Sequence, residues 1–470
     1  MIFASFEFLF LFLPLFFAVY FLTPFRLRNW PILILSWAFY AWWRVDFLAL
    51  LAGVTLFTFL VALRLDGAEG RARGRWLAFG LTGNLGVLAW FKYANFGVHS
   101  FNQAMAALGL AALPWAEIML PIGLSFYVLQ SVSYLIDVYR RDVPVSRSFI
   151  NYAAYKAIFS QLIAGPIVRY AEIADELKSR DHSLALFGAG ARRFMVGFAM
   201  KVVLADTLSP LVDAAFALPA PSLVDGWVAA FAYTLQLFFD FAGYSAMAIG
   251  LALMLGFHFP ENFNWPYLSQ SIQEFWQRWH MTLSRFLRDY LYIPLGGSRQ
   301  GAVRTYINLL LTMLIGGFWH GANWTFLAWG AWHGGLLALH RGWSRGGGRL
   351  PVALSVPLTL LAVMLGWVVF RAENIEQALR VYAGMAGLHG VAMSDALAWQ
   401  ILPEQWWVMA LGVVICALPA AGSYIAWQRE PGAIRGIWRF GWQVGPSLAF
   451  ILAVVLLYSR AAVPFLYFQF

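Results

Sequence analysis

Apolar residues along this chain gather into runs that recur near 5–23, 30–43, 47–63, 76–91, 115–137, 150–168, 190–216, 225–257, 305–340, 351–370, 405–427 and 441–465. A helix crosses a bilayer in about 20 residues, so several of these runs are short for a span and some are long enough for two passes. The pattern predicts an all-α, polytopic integral membrane protein with about eleven to thirteen membrane-embedded helices, some re-entrant or interfacial. No internal repeat and no Ser/Gly-rich linker divides the sequence, so one domain over residues 1–470 is expected.

Composition strengthens that reading. The 470 residues are 61% hydrophobic and 12% charged, whereas soluble domains run about 45–50% apolar and about 25% charged. Much of this apolar surface must be solvated by lipid. The first run lacks a basic leader and its arginines follow it, which reads as an uncleaved first span. Over the first five spans, Arg26, Arg28, Arg64, Arg71, Arg73, Arg75, Arg140, Arg141 and Arg147 fall on one side, against Arg44 and Lys92 on the other. This positive-inside bias puts the N-terminus outside and "GRARGR" in the cytosol. The net charge of +9 therefore reports topology, and no nucleic-acid partner is expected. Cys416 is the only cysteine and sits in an apolar run, so neither a disulfide nor a zinc site is anticipated.

Two stretches carry chemistry. In "SIQEFWQRWHMTLSRFLRDYLYIPLGG" (271–297), helical spacing puts Trp276, His280, Leu283, Leu287 and Leu291 on one face and Glu274, Arg278, Arg285 and Asp289 on the other. Glu274–Arg278 and Arg285–Asp289 are i,i+4 pairs of opposite sign. The expectation is a single amphipathic helix along the cytoplasmic interface with His280 on its apolar side. In "TYINLLLTMLIGGFWHGANW", His320 lies 320 − 304 = 16 residues beyond Arg304, about 24 Å along a helix. A histidine so deep should be neutral and face protein or a water-filled passage. A neutral imidazole accepts a proton, as a general base must. Gly316, Gly317 and Gly321 either loosen the helix around a polar site or permit close helix packing, and Trp319 and Asn323 flank the histidine.

Asp240 is the other ionisable group stranded in an apolar run, a candidate to orient a histidine or bond Tyr244. His333 and His340 are seven residues apart on the next run, with no acidic residue at ligand spacing, so no metal is expected. There is no phosphate-binding P-loop, no GxSxG elbow and no dinucleotide turn. A straight reading of the two stretches separates His280 from His320 by about 20 Å.

"EFWQRWHMTLSRFLRDYLYIPLGG" followed by "GGFWHGANWTFLAWGAWHG" resembles the membrane-bound O-acyltransferase family. The likeness extends through "WWRVDFLAL", "FKYANFG", "LPIGLSFYVLQSVSYLIDVYR", "IAGPIVRY" and "FLYFQF", and is greatest to its alginate-acetylating bacterial branch. The resemblance implies helices enclosing a tunnel, His320 as catalytic histidine and His280 as the second family histidine. It implies acetyl-CoA or another acetyl thioester as donor substrate, with no tightly bound cofactor; Arg299 and Arg304 are candidates to meet CoA phosphates. The implied partners are a periplasmic acetyltransferase or acetyl acceptor protein and the polysaccharide synthesis and export machinery. Ala246 stands where alginate-type members are expected to carry Asp, and the polar stretch 428–440 is short, which leaves a cellulose-acetylating relative open. A proton-coupled transporter or flippase and a recruiting scaffold are the readings from other classes.

Overall fold

A computed structural model of the chain describes residues 2–417, 437–460 and 463–466. The end of the 405–427 run, most of the polar stretch 428–440 and the close of "FLYFQF" lie outside the described residues. Every long regular element among the described residues is a helix, the form that satisfies its own backbone within one segment in lipid. Among them, Val45–Asp66, Leu184–Ala217, Leu223–Met254, Ala302–His320 and Val352–Arg371 are long and apolar enough to cross a bilayer. Glu7–Leu22, Pro403–Ala417 and Val444–Ser459 are shorter apolar helices. The chain is a multi-pass, all-α membrane protein.

Two compact units divide it: Met1–Gly190 with Leu251–Pro260, and Ala191–Gly250 with Glu261–Phe470. In the first, Val45–Asp66, Gly70–Leu88 and Leu124–Arg140 pack closely; a Cβ on Gly80 would lie 2.7 Å from Leu135 and 2.8 Å from Val61. The run 115–137 is not one helix. Residues 110–121 are irregular, tied down by Asn102, which accepts from Leu113 N–H (2.8 Å), and by Asn95, which donates to the Ile118 carbonyl (2.9 Å). The 150–168 run likewise breaks into Phe149–Ala157 and Phe159–Leu162, each too short to cross.

The second unit is built on the 32-residue helix Leu223–Met254. Gly243 in it faces Gly197, where a Cβ would sit 2.7 Å from the Gly197 carbonyl oxygen, so the two backbones touch. The helices Ala302–His320 and Trp324–Arg345 reverse direction over residues 321–323 and pack through glycine. A Cβ on Gly317 would lie 2.3 Å from the Phe326 carbonyl oxygen, and one on Gly330 would lie 2.5 Å from that of Met313.

This decides between the two readings of the glycines. The helix runs unbroken through Gly316 and Gly317 to His320 and ends at Gly321, so close packing, not a loosened helix, is their purpose. Gly317→Ala tests it. Alanine is the better helix former by about 1 kcal/mol, yet overpacking costs about 1–3 kcal/mol. The variant is expected to melt at a lower temperature in detergent; a higher melting temperature would mean the backbones are not in contact.

Candidate active site

The segment from Glu261 to Gly301 places the first histidine, and it is not the single amphipathic helix its periodicity predicts. Ile272–Arg278 is one short helix, capped by Ser271, whose side chain accepts from Glu274 N–H. Met281–Leu287 is a second. Between them His280 adopts a left-handed backbone conformation, φ +42°, which costs a non-glycine residue about 1–2 kcal/mol. The Glu274–Arg278 pair forms at 2.6 Å, and Asp289 is also met by its neighbour Arg288 at 2.7 Å. Periodicity is blind to this reversal because both short helices continue the same apolar spacing.

Asn262 grips the turn. Its Oδ1 accepts from His280 Nδ1 (3.0 Å), Thr282 N–H (3.3 Å) and Thr282 Oγ1 (2.9 Å), while its Nδ2 donates to Ser245 Oγ at 3.0 Å. The backbone N–H of Thr282 can only donate, which identifies Oδ1 as the acceptor and puts the His280 proton on Nδ1. Nε2 is then the lone-pair nitrogen. The ring is fully buried, edge-on to Phe241 at 4.7 Å between centroids. Burial pushes the imidazole down to about 3, so it is neutral at any physiological pH. Asn262 was not identified from the sequence; the only signal was a polar residue inside the "ENFNWPY" stretch that precedes the motif.

His320 ends its helix 5% exposed. Its ring lies 5.0 Å from Trp319, 5.2 Å from Trp329 and 5.4 Å from Phe370. The His280 and His320 ring centroids are 6.4 Å apart, with Trp319 6.5 Å from His280. The separation of about 20 Å expected from straight elements is corrected by the turn at His280, which folds the motif inward. Two neutral-capable imidazoles thus share one aromatic, largely dehydrated site.

The remaining candidates scatter. Trp276 packs on Trp329 (5.6 Å) and His333 (5.2 Å), so it reaches His320 only through Trp329. Asn323 caps the Trp324–Arg345 helix by accepting from Thr325 N–H and donates to the Glu373 carbonyl. Asp240 does not stand alone and does not orient a histidine: its carboxylate meets Lys201 at 2.7 Å and accepts from Leu466 N–H at 2.9 Å. Lys201 also meets Asp206, a buried ion network that is costly to break. Tyr244 stacks on Phe465 at 4.5 Å. Arg299 and Arg304 are exposed, at the opposite end of the Ala302–His320 helix from His320, about 24 Å away.

The Asn262 clasp has a measurable consequence. Asn262→Leu would strand the Thr282 and His280 donors, at about 1–3 kcal/mol for each buried unsatisfied group. The melting temperature in detergent is expected to fall by several degrees; an unchanged value would mean that the clasp does not hold the turn.

The chain is similar to several known proteins. The membrane-bound O-acyltransferase family profile matches residues 138–349, which include both histidines. A probable alginate O-acetylase of Azotobacter vinelandii is 46% identical over 100% of each chain. One from Pseudomonas aeruginosa is 53% identical over 82% of this chain and 75% of that relative. A peptidoglycan O-acetyltransferase of Helicobacter pylori is 38% identical over 82% of this chain and 80% of its own.

Proposed function

Because this chain belongs to the membrane-bound O-acyltransferase family, we propose that it takes an acetyl group from a cytosolic thioester and passes it across the bacterial inner membrane for O-acetylation of an exopolysaccharide, alginate foremost. That it is a membrane O-acyltransferase acting in polysaccharide modification follows from its relatives. The donor, the route and the polymer are the proposal. The alginate O-acetylases matched along the full chain support the polymer. The peptidoglycan relative marks the same architecture acting on another glycan, so Ala246 is read as a local variation.

The observation that carries the chemistry is the pair of buried imidazoles 6.4 Å apart. In the proposed step an acceptor hydroxyl, arriving from the periplasmic side, gives its proton to His320 and its oxygen attacks the thioester carbonyl carbon. The tetrahedral intermediate collapses with loss of the carbon–sulfur bond. The proton returns to the departing sulfur, so thioester and alcohol become ester and thiol with nothing left over. A thioester is already activated, so positioning and one base carry most of the barrier reduction. His280, its proton fixed on Nδ1 by Asn262, presents Nε2 as a hydrogen-bond acceptor and so orients a donating group of the reactants other than the hydroxyl that His320 deprotonates. The immediate acceptor is a periplasmic acetyltransferase or acetyl acceptor protein working with the polysaccharide synthesis and export machinery, and the N-terminus is periplasmic.

Membranes of polymer-producing cells given acetyl-CoA radiolabelled in the acetyl group test this. The wild type is expected to label an acceptor, and His320→Ala to lower labelling by about 10²–10⁴-fold, the ordinary worth of a general base. Equal labelling by both proteins removes His320 from the mechanism, and transport of a solute without any acyl donor would favour a transporter.

A further inference from the structure

One end of the helix group that carries His320 is basic and unpaired. Between Asp289 and Glu373 the chain has no acidic residue. Ala302–His320 and Val352–Arg371 are long and apolar enough to cross a bilayer, and Trp324–Arg345 joins them through 321–323 and 346–351. The start of the first, the end of the second and the start of the third therefore share one level. A Cβ on Gly342 would lie 3.8 Å from the Tyr306 hydroxyl, which fixes the first two together. Arg304, Arg341, Arg345 and Arg349 all fall at this level, and none makes a hydrogen bond or ion pair among the described residues. The Nε of Arg341 is even cut off from solvent without an acceptor. At the far end of its helix, by contrast, Arg371 is paired with Asp213 at 2.5 Å. A guanidinium is costly in hydrocarbon, so the four unpaired arginines mark where these helices leave the membrane. Trp343, 55% exposed, stands among them as aromatic rings do at a bilayer surface.

A groove of about 720 Å³ begins at this level and runs into the apolar zone. Its outer lining includes His340, Trp343 and Leu350, and its inner lining Leu336, Leu358 and Ala362. From Leu350 to Ala362 is 362 − 350 = 12 residues, roughly three helical turns of depth. The connection after Arg345 is folded against the mouth. Gly347 takes φ +80°, and Gly348 N–H donates to the Trp343 carbonyl at 3.0 Å. A Cβ on Gly348 would lie 2.3 Å from the Trp343 ring, so glycine backbone rests on the indole. Arg349 is thereby held at the mouth, next in the chain to Leu350. Arg341 follows His340 directly, and Arg345 is within one turn of Trp343.

Cations at the mouth and hydrocarbon within select a ligand that has an anionic head and an apolar tail. A soluble phosphate would use only the mouth, and an uncharged lipid only the groove. A guanidinium pairs with phosphate through two parallel hydrogen bonds, and basic pockets between membrane helices hold anionic head groups. We propose that this groove is a site for one anionic phospholipid, with its phosphate on Arg341, Arg345 and Arg349 and an acyl chain between Leu336 and Leu358. The lipid is a bound component of the fold here, distinct from any reactant at His320, and the site stands whatever the acyl donor is.

Native mass spectrometry of the full-length protein released from detergent tests this, with phosphatidylglycerol and phosphatidylcholine of equal chain length as the probes. Wild type is expected to retain phosphatidylglycerol at least about tenfold more tightly. Joint Arg341→Gln, Arg345→Gln and Arg349→Gln substitution is expected to remove that preference. Joint Arg26→Gln, Arg71→Gln and Arg75→Gln substitution, which takes the same charge from exposed arginines elsewhere, is expected to keep it. Ala338→Trp, which fills the groove, is expected to weaken phosphatidylglycerol retention at least about fivefold. If that variant does not accumulate, Leu358→Asn, which sets an amide where the chain would lie, is expected to do the same. Equal retention of both lipids by wild type, or a preference that survives the first triple change, overturns the site. So does an equal loss in the second triple variant, which would reduce the effect to net charge. Retention unchanged by the groove variants, or displacement of the lipid by millimolar inorganic phosphate, overturns it in favour of an anion site at the mouth alone.

Discussion

The site depends on one turn of backbone held in an unfavourable conformation. His280 sits at φ +42° between two short helices, and three hydrogen bonds to the Oδ1 of one buried asparagine keep it there. The left-handed conformation costs about 1–2 kcal/mol, and each of those bonds returns about 0.5–1.5 kcal/mol net. The balance is favourable but narrow, and it has a product: an imidazole of fixed tautomer aimed inward. Without the turn, residues 272–292 would continue as a single helix and carry His280 away from its partner.

The second half of the site is made by close approach. Glycines at 317 and 330 let two helices touch backbone to backbone, which holds His320 at the end of one helix against Trp329 of the other. Packing of this kind suits a membrane interior, where van der Waals contact must replace the hydrophobic drive between helices. Aromatic rings pack around the two histidines. Burial favours the neutral form of His280 there, and the proposed step needs a neutral imidazole as its base. Stability and chemistry ask for the same protonation state.

The sequence displayed much of this and concealed the rest for identifiable reasons. Helices, lipid exposure and the two histidines were legible, because long apolar runs must be shielded from water and a histidine set among them is costly to keep. The turn at His280 was hidden, since both flanking helices share one periodicity and left-handed histidines leave no compositional mark. Asn262 was hidden because a clasp formed across 18 residues of chain has no local signature. Asp240 stood out as a lone carboxylate only because its partners, Lys201 and Leu466, lie 39 and 226 residues away in sequence. The glycines were visible, but whether they break a helix or let another approach is settled by what lies opposite them.

If the turn at His280 folds the motif inward, the two histidine positions must be near neighbours despite lying 40 residues apart in sequence. The single native cysteine makes this directly measurable. In a Cys416→Ala background, cysteines at 280 and 320 can be treated with dibromobimane, which becomes strongly fluorescent only when it bridges two neighbouring thiols, as side chains whose rings lie 6.4 Å apart would place them. Bridging fluorescence is predicted for the double variant and for neither single one. Labelling of each cysteine separately by monobromobimane, with no bridging in the pair, would contradict the account.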